Sequence, residues 1–299
     1  METRLKSPLK IDFKRFYKKS LTEKMRSIRL RFKQCWNMIS FGLPLPTCLP
    51  FGGLWLAWND YDGDIVFAGR YEENDSLFVE HFLKSGMIFL DIGANHGYYT
   101  ILASKKVSPG GKVIAFEPSK REVNKLFLHV RLNFCKNVEI ENVALGNQEG
   151  VIDLFLVEGR DAGCNSLRPP LVNDLVKKLQ VRVITLDKYL KQKDIKQVDF
   201  IKIDAEGAEL DVLKGSMELL QQNYKPIILC EITNSRTKPW GYDAKEIVFF
   251  LSNLNYYWYR AINGGRLERL SIDNQNFDGN YIAVPKERIK EISSLEQVG

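Results

Sequence analysis

The chain has 299 residues, of which 44% are apolar and 27% are charged, and its formal net charge is +6. This balance is that of a globular protein with a sizeable core, in one large domain with an extension or in two domains. Five scattered cysteines without a CxxC pair and only three histidines argue against a disulfide framework or a structural zinc site and favour a reducing compartment.

The positive charge is concentrated at the N-terminus. Twelve Lys and Arg residues against three acidic residues within positions 1–33 give this segment a net charge of +9, which leaves −3 for the rest of the chain. Leu21, Met25, Ile28 and Phe32 follow one another there at helical spacing. They predict an amphipathic helix that either lies on an anionic surface, such as lipid headgroups or a polyanionic substrate, or packs its apolar side on its own domain. The basic start, which no apolar core follows, predicts that no signal peptide is present.

Residues 34–59 carry no charge, and their number would suffice to span a bilayer. Three prolines and three glycines break any such helix, so we expect a buried loop or a shallow membrane-contacting segment. Residues 54–67 predict two short strands around a turn at 60–63, and residues 72–84 predict a helix.

Strands and helices alternate through the remainder of the chain. The patterns predict strands at 87–90, 111–116, 138–143, 151–157, 181–186, 198–203, 226–230, 256–261 and 280–284. They predict helices from residue 98 and over 120–132, 208–213 and 244–254, and an irregular loop over 159–170. Such alternation is typical of a largely parallel sheet with helices on both faces.

Acidic residues end three of the predicted central strands: Asp91, Glu117 and Asp204. The carboxyl ends of parallel strands meet in one crevice, where an open α/β sheet binds its ligand. After Asp91 the turn GANHG lets backbone N–H groups approach a ligand closely. Glu117, twenty residues beyond Gly97, stands where a carboxylate would hold the two hydroxyls of a ribose. The turn lacks the GxGxxG pattern, which argues against a dinucleotide. One acid alone would be explained as a helix N-cap, but three predict a site.

Five segments carry a family resemblance: FLDIGANHGYYT (89–100), IAFEPS (114–119), NVALGN (142–147), TLDKYL (185–190) and FIKIDAEGAELDVLKG (200–215). Through them the chain resembles the class I S-adenosylmethionine-dependent methyltransferases, and more narrowly the FkbM family, over about residues 70–285. The resemblance implies an α/β, Rossmann-like fold with a seven-stranded, mostly parallel sheet, helices on both faces and an antiparallel last strand. It also implies methyl transfer to oxygen, often on sugars, glycans or glycosylated natural products.

The expected organisation has three parts. Residues 1–50 form a basic, helical extension that matches nothing in the family. Residues 51–86 form a lead-in hairpin and helix. Residues 87–290 form the methyltransferase domain.

By position, the resemblance assigns S-adenosylmethionine to one set of residues: Asp91, Gly93, Ala94, Asn95, Gly97, Glu117, Asn142, Ala144 and Asp204. The turn after the first strand would hold the cofactor, with Glu117 on the ribose and Ala144, next to Asn142, near the adenine. Asp204 would lie near the sulfonium and the acceptor. A sulfonium is cationic, so carboxylates around it lower its energy, and much of the catalysis is positioning of the acceptor oxygen.

A hydroxyl acceptor must also lose a proton. The candidate bases are Asp204, Glu206, Glu231 and His96. Glu206 and Glu209 flank Gly207 at the start of a predicted helix, where a carboxylate also simply favours the helix dipole. His96 is either a base or a turn residue packed under the helix. Lys202 alternates with Asp204 along the strand, which predicts a buried ion pair.

A metal-dependent variant stays open at the same strand ends. Asp204, Glu231 and Asn234 offer oxygen ligands that suit Mg²⁺, which would bind and acidify a diol acceptor. The resemblance does not require a metal, so this is the minority interpretation.

The acceptor pocket is expected between the loop 159–170 and the segment 234–242. Trp240 and Tyr242 would stack on a sugar ring, and Arg236 or Arg168 would pair with an anionic group. Alternatively, Trp240 is a lid or core residue, since aromatic side chains usually pack.

The leading hypothesis is therefore an O-methyltransferase acting on a small-molecule or glycan acceptor in the cytoplasm, with peripheral membrane contact through the basic N-terminus. A nicotinamide-dependent oxidoreductase and a non-catalytic S-adenosylmethionine-binding or membrane-associated domain are the alternatives. Nucleic acid is not an expected partner, because the body of the chain is slightly acidic and lacks an aromatic and basic platform.

Overall fold

The computed structural model describes residues 20–69, 71–170, 173–272 and 277–297. The first nineteen residues of the basic extension lie outside the described residues. The chain divides into two units, Met1–Glu73 and Asn74–Gly299, and each is considered by itself.

Helix α1 (Leu21–Ile39) is the main element of the first unit, as predicted. It starts with a capping box, in which the Ser20 hydroxyl accepts from the Glu23 N–H and the Glu23 carboxylate accepts from the Ser20 N–H. Its buried contact is polar: the Lys33 ammonium is fully buried and lies 2.6 Å from Asp64. Leu21, Met25, Ile28 and Phe32 are exposed instead. The Phe32 ring nevertheless stacks on Phe67 of the same unit, with 6.5 Å between the ring centroids. Docking of this side on an anionic surface stays a prediction.

A hairpin and a short helix complete the described part of the first unit. Strands β1 (Leu45–Cys48) and β2 (Leu54–Ala57) pair antiparallel, so part of the charge-free stretch forms strands and not a loop. The second strand predicted within 54–67 is wrong, because α2 (Tyr61–Ala68) occupies that place. The Asp60 carboxylate accepts from the Gly63 N–H at 2.7 Å and so caps a helix where a hairpin turn was expected. Among the described residues, no helix combines the length and the apolar character needed to cross a bilayer.

The second unit contains the predicted alternation. Its helices are α3 (Glu73–Phe82), α4 (Tyr98–Val107), α5 (Lys120–Leu132), α6 (Leu186–Gln192), α7 (Glu209–Lys214), α8 (Met217–Leu220), α9 (Asn234–Thr237), α10 (Lys245–Asn253) and α11 (Ile289–Ile292). Its strands are β3 (Ile88–Ile92), β4 (Lys112–Phe116), β5 (Val138–Glu141), β6 (Ala144–Leu145), β7 (Gly150–Glu158), β8 (Leu175–Ile184), β9 (Phe200–Ile203), β10 (Ile227–Thr233), β11 (Tyr256–Ile262), β12 (Arg266–Arg269) and β13 (Asp278–Pro285).

The main sheet has the order β12-β11-β13-β10-β9-β3-β4-β5. Strands β10, β9, β3, β4 and β5 are parallel, and β13 runs antiparallel beside β10. This confirms the predicted α/β class and the reversed last strand. The sheet has eight strands and not seven because β12 adds a short edge strand to β11.

Helices cover both faces of this sheet because successive side chains of each strand point to opposite sides. On one face, Phe200 stacks on Phe89 of the neighbouring strand, and its ring also contacts Phe78 and Phe82 of α3. On the other face, side chains of β3 and β9 pack with those of α6, α7 and α10 in an extensive buried apolar cluster. Two central strands buried on both sides hold their carboxyl ends in a fixed geometry.

Three further strands form a separate sheet with the order β6-β8-β7. Strand β8 begins at Leu175 and is longer than the pattern predicted, and it pairs with all of β7 as a hairpin. Ala144, in β6, packs there with Leu154, Leu167 and Ala208. The second sheet thus reaches the start of α7, beside the carboxyl ends of the main strands.

Candidate cofactor and acceptor site

Asp91 lies at the carboxyl end of the central strand β3 and is almost fully buried. Its Oδ2 accepts a 2.5 Å hydrogen bond from the Thr100 hydroxyl of α4. Burial raises the pKa of Asp91, while the Lys202 ammonium and the Thr100 hydroxyl oppose that rise. Among the residues that the structure describes, none hydrogen-bonds to Asp91 Oδ1. This buried oxygen is the kind of acceptor that a ligand group would satisfy.

The turn after Asp91 brings backbone against backbone. Gly93 has a φ of +74°, and a Cβ there would lie 1.8 Å from the Asp204 carbonyl oxygen. Gly97 starts α4 with a φ of +88°, and a Cβ there would lie 2.3 Å from Leu126. The N–H groups of Gly93 and Ala94 both donate to the Phe116 carbonyl at the end of β4. Glycine is required because only a residue without a Cβ permits these approaches.

Glu117 follows β4 and is tied to both neighbouring turns. Its Oε2 accepts from the Asn95 N–H at 2.9 Å, and its Oε1 accepts from the Ser119 N–H at 2.8 Å. Burial raises the pKa of this carboxyl to about 8, helped by the Glu122 carboxylate and opposed by the two N–H groups. The residue is 5% exposed. Each of its two oxygens already accepts one backbone N–H, so a ligand hydroxyl would donate to the lone pair that remains on either oxygen.

Asn142 and Ala144 support this region from the next connection. The Asn142 amide donates to the carbonyls of Glu117 and Pro118, both at 2.9 Å, and so fixes the chain after β4. Ala144 is buried beside the start of α7. Asn142 therefore lies next to the Glu117 segment, whereas Ala144 lies beside the start of α7.

His96 belongs to a separate buried cluster on α5. Its Nε2 lies 2.9 Å from Glu122 Oε2 and also 2.9 Å from the Lys125 ammonium. Burial would raise the pKa of Glu122, but His96, Lys125 and Arg121 outweigh it and lower that pKa to about 2. Arg121 also reaches the carbonyls of Val157 and Ala162 and links the cluster to the loop after β7. The cluster fastens the GANHG turn to α5, and His96 Nε2 contacts two of its members.

Asp204 follows strand β9, and its backbone lies against the Gly93 turn. Its N–H donates to the Ile92 carbonyl, and its Oδ2 lies 2.8 Å from the Lys202 ammonium. The Lys202 side chain is 5% exposed and its ammonium lies 5.3 Å from the centre of the Tyr99 ring. The predicted buried pairing of Lys202 with a carboxylate is confirmed.

Three carboxylates converge beside Asp204. One oxygen each of Asp204, Glu206 and Glu231 lie within 4.8 Å of one another. The Arg236 guanidinium lies 2.9 Å from the Glu206 carboxylate. Burial raises the pKa of Glu231 well above its usual range, as do the carboxylates of Asp204, Glu206 and Glu209, whereas Arg236 opposes the rise. Within the described residues, Glu231 Oε2 has no hydrogen-bond partner.

Asn234 and Glu209, named in the sequence analysis, serve the backbone. Asn234 Oδ1 accepts from the Ala244 N–H at 3.0 Å, ahead of α10. Glu209 Oε1 accepts from the N–H groups of Ala205 and Gly207, at 2.8 and 3.1 Å. Burial raises the pKa of Glu209 to about 7.

The two segments expected to form the acceptor pocket meet at Glu206. A depression there is lined by Ser166, Pro169, Pro170, Glu206, Ser235, Arg236 and Pro239. The Arg168 guanidinium lies 5.0 Å from the centre of the Trp240 ring. A Cβ on Gly207 would lie 2.6 Å from the same ring, so Trp240 packs directly on the Gly207 backbone. The Tyr242 hydroxyl donates to the Gly207 carbonyl at 2.6 Å.

Sequence reasoning missed Thr100 and Arg121. Thr100 stands one α-helical turn from the glycine turn, and a hydroxyl there has a ready partner in the buried Asp91. Its position within the motif FLDIGANHGYYT was the available signal. Arg121 is bound by carbonyls 36 and 41 residues away, and no local pattern indicates such partners.

Known proteins are similar in sequence to this part of the chain. Residues 91–257, more than half of the chain, match the family model of the methyltransferase FkbM domain. The chain is 26% identical over 142 residues to Methyltransferase 1 of Beauveria bassiana, covering 42% of this chain and 57% of the relative. It is 26% identical over 172 residues to methyltransferase sdnD of Sordaria araneosa, covering 46% of this chain and 66% of the relative. The chain thus spans less than two thirds of the length of these relatives.

Among solved structures, the methyltransferase FkbM of Methylobacillus flagellatus is 14% identical, with a TM-score of 0.41, over 75% of this chain and 55% of that one. The O-methyltransferase of Bacillus cereus is 15% identical, with a TM-score of 0.43, over 87% of this chain and 91% of that one. The family match covers the strand-end turn, the Glu117 segment and the carboxylate cluster, and it confirms the resemblance given by the motifs. The chain belongs to the FkbM methyltransferase domain family.

Proposed function

We propose that this chain is an S-adenosylmethionine-dependent O-methyltransferase whose acceptor is a hydroxyl of a sugar, a glycan or a glycosylated metabolite. The observation that carries the proposal is the joint arrangement of Asp91, Gly93 and Glu117 at the ends of two adjacent parallel strands. This arrangement combines a glycine turn, a buried carboxylate oxygen with no hydrogen-bond partner among the described residues, and a carboxylate at the position expected for ribose.

The residues fit the cofactor. The Asp91 oxygen without a described partner would accept a hydrogen bond from it, and Glu117 would accept from the ribose hydroxyls. The carboxylates of Asp204 and Glu231 would lie toward the cationic sulfonium. S-adenosylmethionine, when bound, supplies a methyl group that is activated by a positively charged sulfur.

Glu231 is the base that the electrostatics favour. Transfer forms a bond between the acceptor oxygen and the methyl carbon and breaks the bond from that carbon to sulfur, which takes the electron pair. The hydroxyl proton must leave at the same time. A carboxyl whose pKa is raised is a stronger base in its ionised form than an ordinary carboxylate, and the cationic sulfonium beside it would favour that ionised form. Arg236, beside Glu206, would limit the negative charge that accumulates around Glu231.

The acceptor would lie in the depression between the loop after β7 and the segment after β10. Its lining combines three prolines with two serines, Arg236 and Glu206, so it would offer a hydroxylated ring both apolar contact and hydrogen-bond partners. Trp240, with Arg168 over its ring, would form one wall.

Mg²⁺ is a narrower version of the same proposal. Asp204, Glu206 and Glu231 form a donor set of hard oxygens that would hold the ion, whereas Asn234 is engaged with Ala244. Arg236 already places a positive charge at Glu206, so we propose transfer that does not depend on the ion. A methyl-transfer assay with EDTA and then with added Mg²⁺ separates the two versions.

The experiment is a calorimetric titration of S-adenosylmethionine into the wild type and into Asp91→Asn and Glu117→Gln, followed by transfer of a labelled methyl group to a panel of sugars. We expect binding by the wild type and weaker binding by both variants. Lack of binding by a folded wild type would overturn the proposal and favour a non-catalytic domain. Binding without transfer to any hydroxyl would overturn only the acceptor class. Titration with NAD in parallel tests the oxidoreductase alternative.

A further inference from the structure

Helix α1 has its charged and apolar sides arranged in the reverse of an ordinary surface helix. A surface helix normally turns its apolar side to the protein and its charges to water. Here the Lys33 ammonium is fully buried, 2.6 Å from Asp64 and 2.5 Å from the Trp58 carbonyl. A buried ion pair thus attaches the helix to its own unit. The exposed apolar side chains of α1 face away from this attachment, and of these Phe32 also stacks its ring on Phe67, with 6.5 Å between the ring centroids.

These side chains form one continuous stripe. We define the apolar stripe as Leu21, Met25, Ile28, Phe32 and Ile39, which are 78%, 54%, 51%, 58% and 70% exposed. Steps of three, four and seven residues place them on a single face of the helix. Beyond the helix, Phe41 extends the apolar surface with a side chain that is fully exposed and a φ of +51°. An aromatic side chain presented to solvent in this way is rare on a surface that stays in water.

The charge around the stripe identifies its partner. Lys24 and Arg31 lie along one edge of it, as helical spacing requires, and residues 1–33 carry a net charge of +9. A second copy of the chain would bring two such basic segments together, which like-charge repulsion opposes. An anionic lipid surface offers both an apolar interior for the stripe and negative headgroups for the flanking cations.

We propose that the apolar stripe of α1 docks on an anionic lipid bilayer, with its apolar side chains in the headgroup boundary and its basic residues against lipid phosphates. The helix would lie in the plane of the interface. This inference stands on the first unit alone and does not depend on the proposed methyl transfer.

The test is co-sedimentation of the full chain with vesicles of phosphatidylcholine alone and of phosphatidylcholine mixed with phosphatidylserine. The stripe variant is Leu21→Gln, Met25→Gln and Ile28→Gln. The matched control changes three exposed apolar residues of the β7–β8 hairpin: Val151→Gln, Leu175→Gln and Leu179→Gln. We expect the wild type and the control to bind the mixed vesicles more strongly than phosphatidylcholine, and less strongly as salt is added. Partitioning of the stripe variant should fall by about tenfold or more.

The proposal would be overturned if the wild type did not bind the mixed vesicles, or if the stripe variant bound them as strongly as the wild type. A wild-type dimer without vesicles that the stripe variant converts to a monomer would also overturn it, because the stripe would then hold a second copy. Fluorescence gives an independent readout. Phe41→Trp should shift its emission to the blue on mixed vesicles, whereas Phe134→Trp, an exposed position with a φ of +53°, should not. Equal shifts at both positions would contradict docking through α1.

Discussion

The two halves of the strand-end crevice hold their acids in different ways. At the ends of β3 and β4, Asp91 and Glu117 accept hydrogen bonds from a hydroxyl and from backbone N–H groups. At the ends of β9 and β10, Asp204 and Glu206 lie against the cations of Lys202 and Arg236. In the first half, these hydrogen bonds hold the acids in place, which would suit the binding of a cofactor. In the second half, Asp204 and Glu206 are each paired with a cation, which would suit the transfer of a proton.

The halves meet at Gly93, where the largest effect is expected. Gly93→Ala would place a Cβ 1.8 Å from the Asp204 carbonyl and force the ends of β3 and β9 apart. We expect a loss of more than about 4 kcal/mol in the free energy of unfolding and no detectable cofactor binding. Urea unfolding and calorimetry measure the two effects.

Gly86→Ala is the matched control for that change. Gly86 has a φ of +88°, but a Cβ there would meet no atom within 4 Å. The alanine should lower the free energy of unfolding only by its backbone strain, about 1–2 kcal/mol, and the variant should keep cofactor binding. If both alanine variants behaved alike, the close contact between the halves would not be what matters.

The next largest effect is expected when the Lys202 ammonium is removed from the second half of the crevice. Lys202→Met leaves Asp204 and Asp91 without the charge that lies between them, so unfolding should become easier by about 3–5 kcal/mol. Lys196→Met is the control, since Lys196 pairs with Asp194 at the same two-residue spacing but on the surface. That variant should change stability by less than about 1 kcal/mol. Similar losses in the two variants would contradict the role given to burial.

Glu209 gives a pH dependence whose sign is set by its raised pKa. The folded carboxyl has a pKa of about 7, above its value in the unfolded chain, so the folded state holds the proton over a range in which the unfolded state has released it. Its contribution to stability is therefore present at low pH and is lost as the pH rises from about 5 to 7, by about 1 kcal/mol per unit.

Glu209→Gln isolates that titration. Both N–H groups bind the single oxygen Oε1, and a glutamine oxygen can replace it. The variant should unfold with a free energy that changes less between pH 5 and 7 than that of the wild type, as measured by urea unfolding at each pH. An unchanged slope would mean that Glu209 does not titrate in this range.

Glu117→Gln tests the first half and has the smallest expected effect. Its two oxygens each accept a different N–H, so one amide position of the glutamine faces a donor. We expect cofactor affinity to fall by about 10- to 100-fold, or about 1.4–2.8 kcal/mol. Ribose hydroxyls favour the ionised carboxylate, so wild-type affinity should rise as the pH approaches 8, the pKa of Glu117. Calorimetry should show that the cofactor affinity of the variant rises less with pH than that of the wild type. An equal rise in both proteins would mean that a group of the ligand titrates, and not Glu117.

The first half was largely predictable from sequence and the second half only in part. Parallel strands ending in Asp91, Glu117 and Asp204 are local patterns, and the sheet places their ends together. The position of Arg236 beside Glu206 depends on a contact across thirty residues, which no periodicity encodes. The same limit explains the error at α2, where Asp60 was interpreted as part of a hairpin turn although its carboxylate caps a helix.

The most direct test of the account is a crystal structure of the chain with S-adenosylhomocysteine. The account predicts ribose hydroxyls within hydrogen-bond distance of Glu117, a polar ligand atom on Asp91 and the sulfur on the side of Asp204. A ligand bound elsewhere, or bound in the crevice without contact to Glu117, would contradict the assignment of the cofactor to the ends of β3 and β4.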